Sequence, residues 1–551
     1  MRKYFFLLII FLISFYVKSQ NNLQDGKISG NFELNAQSYK KDSLIKAEIP
    51  PEKILMNSYA NINYEKGNFK AGFRYEAYMN SLKAYDSRYD ENGIPYRYVI
   101  YKINDLEITV GNYYEQFGNG LIFRTYEDKN LGYDNAMDGI RLKYNFNNRI
   151  YLKAIAGKQR FYFEKGKGIL RGIDGEFLLN EIFDSLSMNT RFSVGGSFLS
   201  KYEKDENSSY HLPENVGAYS GRFSIIHSFN NGRFLNFNAE FSQKINDPNA
   251  SNNLIYKNGE AILLNLSFSQ KGMGLLFNVK RTDNMDFRSE RNASITDLLI
   301  NYIPNITKNH TYSLLAMYPY VTQTNGEIGF QTEIMYKFMK KTILGGKYGT
   351  DISVNFSQMN NIEKAKISDT IPLGKEGTDG YKSDFFKIGE ELLFQDFSIE
   401  INKKLNRKIK FTLIYQNLIY NYDINRGTEG HKNVNANIGI FDISYKFKSR
   451  NSLRTEFQIL LTEEDEKDWA MISMEYNLKK FFFILQDQYN YGNEIKKKQT
   501  HYYLLGAGYN YKTTRFEIRY GKQKEGITCA GGICRNVPAT YGMSFMLTNS
   551  F

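Results

Sequence analysis

At 551 residues the chain exceeds the roughly 250–300 residues at which a single soluble core stops growing, yet a mean hydropathy of -0.49 is far too polar for a bundle of membrane helices. A formal charge of +12 invites a nucleic-acid partner, but the 71 basic residues are dispersed among 59 acidic ones with no dense basic block, so none is expected. What remains is a chain with 43 Tyr, 41 Phe and 43 Gly against 9 Pro, suited to a wall that needs an apolar residue only at every second position.

The first element is the one long apolar run, Tyr4 to Val17, preceded by Arg2 and Lys3 and followed by Lys18, Ser19 and Gln20. It is shorter than the roughly 20 residues of a spanning helix and reads as a secretory signal peptide cut after Ser19. No cysteine sits near that point, which argues against a lipid anchor. Loss of Arg2, Lys3 and Lys18 takes the charge from +12 to 12 − 3 = +9 on residues 20–551.

From Lys27 onward, period-two segments alternate with polar connections. In Phe69–Met79, Phe69, Ala71, Phe73, Tyr75, Ala77 and Met79 share one face, while Lys70, Gly72, Arg74 and Glu76 share the other. Arg233–Gln243 and Thr514–Tyr520 repeat the scheme, the latter with Phe516 and Ile518 set against Arg515, Glu517 and Arg519. Arg454 and Glu456 are spaced likewise. Charges on the second face indicate that it meets water, as the lumen of a barrel does.

Connections alternate in length. Short links at Glu65–Asn68, Asn147–Arg149, Asn230–Arg233, Lys448–Ser452, Leu478–Lys480 and Tyr511–Thr514 are separated by long polar stretches such as Ser81–Gly93, Lys201–Glu214, Gln358–Tyr381, Thr462–Asp468, Gly492–Gln499 and Gln523–Pro538. Short turns on one rim and long loops on the other describe an all-β, antiparallel transmembrane barrel, with short turns periplasmic and long loops outside. Counting segments gives about 26 strands, within two to four.

Two stretches break the alternation. Val110–Gly139 contains Gly118 and Gly120 and concentrates Glu115, Arg124, Glu127, Asp128, Lys129, Asp134 and Asp138. Folded inward, it would narrow the pore and offer paired charges to a solute; left outside, it is an outer loop with a glycine bulge. Arg281–Glu327 interleaves Arg281, Arg288 and Arg291 with Asp283, Asp286 and Glu290, a pattern for an interior salt-bridge ladder. Near the end, Cys529 and Cys534 flank Ala-Gly-Gly-Ile and are expected to close a small disulfide ring in the last long loop.

The last element, Tyr541–Phe551, places Tyr541, Met543, Phe545, Leu547 and Phe551 on one face with Asn549, and Gly542, Ser544, Met546, Thr548 and Ser550 on the other. Ending on an aromatic, it resembles the insertion signal that barrel-assembly machinery reads in outer-membrane β-barrels, whose last strand pairs with the first. With the two charged stretches, the signal peptide and the C-A-G-G-I-C-R-N-V-P-A segment, the chain resembles an uncharacterised family of Bacteroidota outer-membrane β-barrel proteins. That resemblance implies a location and a fold and carries no activity with it.

Neither G-x-S-x-G nor H-E-x-x-H nor a phosphate-cradling Gly-Lys motif is present, so no enzyme, metal or cofactor is expected, although His227 and His310 are the residues to inspect. The expected function is a channel or transport-related pore for a polar solute in the outer membrane, partly closed by inward-folded loops. A non-catalytic structural barrel with an envelope partner, in a secretion or assembly complex, is the alternative. A lumen lined by Arg74, Arg454, Arg515 and Arg519, with Glu76, Glu456 and Glu517 as partners, would prefer anions mildly. Barrels of 16 to 18 strands already hold an aqueous channel, so a wider one needs a filling. The Glu115–Asp138 segment, the Gln358–Tyr381 loop and another protein are the candidates.

Overall fold

The computed structural model describes residues 26–551 apart from 184, 185, 187, 188, 208, 294, 295, 531 and 532, and it describes no side chain of residues 528–530, 533 and 534. The expected signal peptide and the expected Cys529–Cys534 ring therefore lie outside the described residues and side chains.

Twenty-four antiparallel strands form one sheet, each bonded to its neighbour along the chain, and the last wall strand, Thr540–Ser550, pairs with the first, Lys27–Tyr39. The closing register runs from Asn31 opposite Ser550 to Tyr39 opposite Gly542. Closure leaves no edge strand with unpaired N–H and C=O groups. The count is two below 26 and inside its margin; two short ladders, Glu127–Asp128 with Tyr133–Asp134 and Gly526–Ala530 with Ile533–Val537, stand apart from the wall. Helix among the described residues is confined to Leu179–Ile182, Tyr422–Arg426 and three 3₁₀ turns.

Alternation along each strand sorts the two faces. Phe73, Ile173, Leu485 and Ile518 are 39 to 61 % exposed on the outside, whereas Arg74, Glu76, Asp174 and Glu517 are buried inside. One rim carries nearly all the tight turns, among them 67–68, 104–105 and 512–513. Gly67, Asn104 and Lys512 adopt φ of 55°, 50° and 52° there, because a two-residue hairpin that follows the strand twist needs a left-handed residue. Every long stretch named above opens onto the opposite rim. Exceptions are 179–189 and 339–349 on the short rim and the tight 162–163 turn on the long rim.

Two connections do not stay at that rim. Residues 114–136, between Leu106–Tyr113 and Met137–Phe146, and residues 284–326, between Met273–Asp283 and Glu327–Phe338, leave wall strands that remain paired to each other. Both fold into the lumen and build apolar cores there. Phe117, Ile122, Phe123, Phe287 and Ile300 pack on Ile155, Leu170, Leu199 and Val216; Leu314, Leu315, Tyr318 and Tyr320 pack on Ile414, Leu418, Ile438, Ile440 and Met471. The barrel is thus filled from within by its own chain.

Candidate functional site: the lumenal plug and the passage beside it

The first inserted segment is fixed at its root by charge. Arg74 on the wall meets Glu76 and Glu127 at 2.7 Å and Asp134 at 2.5 Å, while Arg160 holds Glu76 at 2.7 Å and Asp134 at 2.6 Å. Arg74, Glu76 and Arg160 are each at most 4 % exposed, so these carboxylates and guanidiniums answer one another away from bulk water. Glu115 accepts from Lys143 at 2.7 Å, Lys153 at 3.1 Å and Arg141 at 3.4 Å. Burial pushes its carboxyl upward, but Lys153 and Lys143 outweigh burial and hold it below the ordinary range. Asp138 pairs with Lys165 at 2.8 Å and Arg97 at 3.6 Å, and Asp128 caps its own turn by accepting from the amides of Asn130 and Leu131.

The tip of that segment is a tight reversal: the Phe117 amide donates to the Phe123 carbonyl, and the Gly120 amide to the Phe117 carbonyl. Gly118 sits at φ 50°, and a Cβ there would lie 2.6 Å from the Glu240 carboxylate and displace it, so glycine is favoured on both counts. Glu240, on Arg233–Lys244, accepts from the backbone and side-chain amides of Asn119 at 2.6 and 2.8 Å. A segment that leaves the wall beside Tyr113 is thereby tied to a strand six places further round the sheet.

The second inserted segment locks onto the first and continues across. The Arg124 amide donates to the Ile300 carbonyl and the Tyr302 amide to the Gly120 carbonyl, both at 2.9 Å, and the Arg124 guanidinium lies 4.0 Å from the Tyr302 ring centre. Further along, Lys308 meets Glu333 at 2.9 Å, His310 Nε2 lies 2.7 Å from Asp396, Tyr312 donates to Asp442 at 2.9 Å and Tyr318 to Asp465 at 3.0 Å.

The expected ladder of Arg281, Arg288 and Arg291 forms only in part. Arg281 meets Glu260 at 3.2 Å and Asp283 at 3.5 Å, and Arg288 meets Asp286 at 2.8 Å. Arg291 turns to Glu203 at 3.7 Å, and Glu290 accepts from the Lys167 amide. The Gln358–Tyr381 loop lies against its rim neighbour instead of filling the lumen: the Gly377 amide donates to the Leu254 carbonyl, and the Tyr256 amide to the Thr378 carbonyl. His227 contacts Thr190 on the adjacent strand, far in sequence from His310, and among the described residues no cluster of three His, Cys, Asp or Glu could hold a metal.

The plug leaves a cavity against one arc of the wall. This cavity, of about 570 Å³, lies between Ser313 and Met317 of the second segment and the inner wall at Gln37, Gln488, Arg519 and Ser544. Arg519, 42 % exposed, lines it and shares the buried Glu517 with Arg515, which lies outside the lining; Arg426, Lys522 and Lys524 line it as well against Glu525, so a net positive face meets the cavity. Arg454 is 41 % exposed and meets Asp442 at 2.8 Å and Glu456 at 2.7 Å. Arg74 does not belong with them, since three carboxylates enclose it. At the seam, Phe551 and Gly30 exchange two backbone hydrogen bonds of 3.0 Å, Leu547 is buried among Phe32 and Ala60, Phe545 faces outward, and Tyr541 bonds to Tyr520 and Tyr503 through the hydroxyls.

Wall residues that receive the second segment were not singled out from the sequence. Their signal was present: Ile409–Tyr420 and Val434–Lys448 carry apolar residues on both faces, with Ile414, Leu418, Ile438 and Ile440 inside and Leu413, Tyr415 and Phe441 outside.

The family described as one of unknown function, DUF6029, matches residues 1–551. No curated protein matches. Among solved structures, the P pilus usher PapC translocation pore aligns at 8 % identity over 95 % of this chain and 98 % of its own, with a TM-score of 0.42. The siderophore receptor PirA of Pseudomonas aeruginosa aligns at 10 % identity over 95 % of this chain and 80 % of its own, with a TM-score of 0.40. A mutant porin of Rh. blastica aligns at 11 % identity over 66 % of this chain and 98 % of its own, with a TM-score of 0.26.

Proposed function

We propose that this chain, which belongs to the DUF6029 family, is an integral outer-membrane barrel that passes a polar solute along the cavity between its plug and one arc of the wall. The observation that carries the reading is the polar cavity of about 570 Å³ between the second inserted segment and the wall near the seam. The exterior supports a lipid surrounding: Ile173, Phe241, Phe457, Leu485, Leu505 and Ile518 are 40 to 61 % exposed on a closed sheet, a display of apolar surface that water does not favour. Arg426, Arg519, Lys522 and Lys524 against Glu517 and Glu525 give the passage its sign, favouring anions.

The test is current through the refolded chain in a planar bilayer under a salt gradient. Small, stable currents with an anion-favouring reversal potential, shifted toward cations by Arg519→Glu, are expected. No current at any voltage, or a reversal potential that ignores Arg519→Glu, would sink this reading.

A second reading, a structural barrel in an envelope complex, is favoured by one observation: the inserted segments are tied to the wall from Arg74 through Glu240 to Asp465. A silent intact barrel that keeps a stable partner through detergent extraction would favour it.

A further inference from the structure

We propose that the long-loop rim holds a binding site for an acidic saccharide, in a vestibule lined by Tyr85, Arg88, Tyr162, Arg426 and Arg535. The vestibule encloses about 640 Å³, within the range of pockets that bury a ligand of two or three rings. Its walls come from separate segments: 80–91, the tight 162–163 turn, 421–433 and 524–539, with the two plug segments beneath. Arg426 and Ile527 line both this vestibule and the lumenal cavity, so the two adjoin.

Charge in the vestibule is unevenly answered. Arg88 is paired with Asp86 at 2.7 Å and Asp297 at 2.8 Å. Arg535 has no carboxylate within ion-pair distance among the described residues; it donates to the Asn130 carbonyl at 2.5 Å and lies 4.8 Å from the Tyr85 ring centre. Burial pushes its guanidinium below the ordinary value, and Asp128 acts on it only at longer range. Arg426 likewise lies over Tyr422 at 5.2 Å with no carboxylate at ion-pair distance among the described residues. Two cations lacking close counter-charges on one cavity favour an anion, and a guanidinium suits a carboxylate.

The rings decide what carries that anion. Tyr89 packs edge-on against Tyr162 at 4.6 Å, and the Tyr85 hydroxyl donates to the Lys129 carbonyl at 2.6 Å, so the aromatic walls are held in place. Such walls offer an apolar face with a polar rim, and Thr322 and Asn536 add uncharged hydrogen-bonding groups. A sugar ring bearing a carboxylate, with one C–H face to lie on an aromatic wall and hydroxyls at its edge, meets all three features.

The purpose of such a site rests on the transport reading, but binding is measured without a bilayer, so the two ideas fail separately. The experiment is calorimetric titration of the refolded full chain in detergent with digalacturonate, with maltose as a neutral ring and citrate as an anion without one. Binding of digalacturonate is expected, with maltose and citrate weaker by roughly tenfold or more, and with Arg535→Gln and Tyr85→Ala each losing roughly tenfold. Heat-modifiable migration establishes that each variant is folded, and Arg426→Gln replaces any that is not. Absence of digalacturonate binding, equal binding of maltose or citrate, or full affinity in the folded variants would overturn the proposal.

Discussion

At the scale of single residues, the plug depends on a buried charge network in which Glu76 and Asp134 share two donors, Arg74 and Arg160. Removing Arg160 leaves Glu76 and Asp134 short of a donor inside a water-poor lumen. Breaking one side of such a pair costs about 3–5 kcal/mol, so Arg160→Ala is expected to free residues 114–136 to exchange amide hydrogens rapidly while the barrel still migrates as a folded, heat-modifiable species. Glu115 adds a pH dependence. Its carboxyl is held below the ordinary 4.5, so its contribution to docking is present above 4.5 and is lost as pH falls through the lowered value. Hydrogen exchange in 114–136 should therefore accelerate on acidification in the wild type. In Glu115→Gln it should be faster at neutral pH and lack that component of the acid response. Gly118→Ala, at positive φ and against Glu240, is expected to loosen the tip by about 1 kcal/mol or more, read in the same exchange measurement. The unusual density of charge in this segment was legible in the sequence. Which carboxylate meets which guanidinium was not, because Arg74 and Arg160 reach the segment from wall strands far away in the chain.

At the scale of elements, strands and turns were the readable part. Period-two alternation and the regular exchange of short and long connections follow from local sterics and turn chemistry, and both survive into the structure. The plug is a different kind of object. The described residues of 284–326 form no wall strand and have no period; they are placed by burial of Leu314, Leu315, Tyr318 and Tyr320 against distant strands. The clue was the doubly apolar Val434–Lys448 strand, whose inner Ile438 and Ile440 would otherwise face water. Because the segments hold each other through Arg124, Ile300, Gly120 and Tyr302, the amides of Arg124 and Tyr302 should be protected together, and deleting 116–135 should expose both segments. Protection of the second segment unchanged by that deletion would mean the two dock independently.

At the scale of the whole molecule, a closed 24-strand sheet is wider than the 16 to 18 strands that already enclose a water channel, so its permeability is decided by what fills it. Closure itself was foreshadowed by the apolar-out pattern of Tyr541–Phe551, and Leu34 opposite Leu547 is where it is realised. Filling was anticipated for one segment of the two that achieve it, and the Gln358–Tyr381 loop was a wrong candidate because Ile255, Ile362 and Tyr381 give it an apolar seat at the rim.

The most direct measurement is single-channel conductance of the intact barrel beside the same barrel lacking residues 116–135, both shown to be folded by heat-modifiable migration. Small currents through the residual passage in the intact protein, rising on the order of tenfold in the deletion toward those of an open wide barrel, are the expected result. Large currents in the intact protein, unchanged by the deletion, would contradict a barrel closed by its own chain.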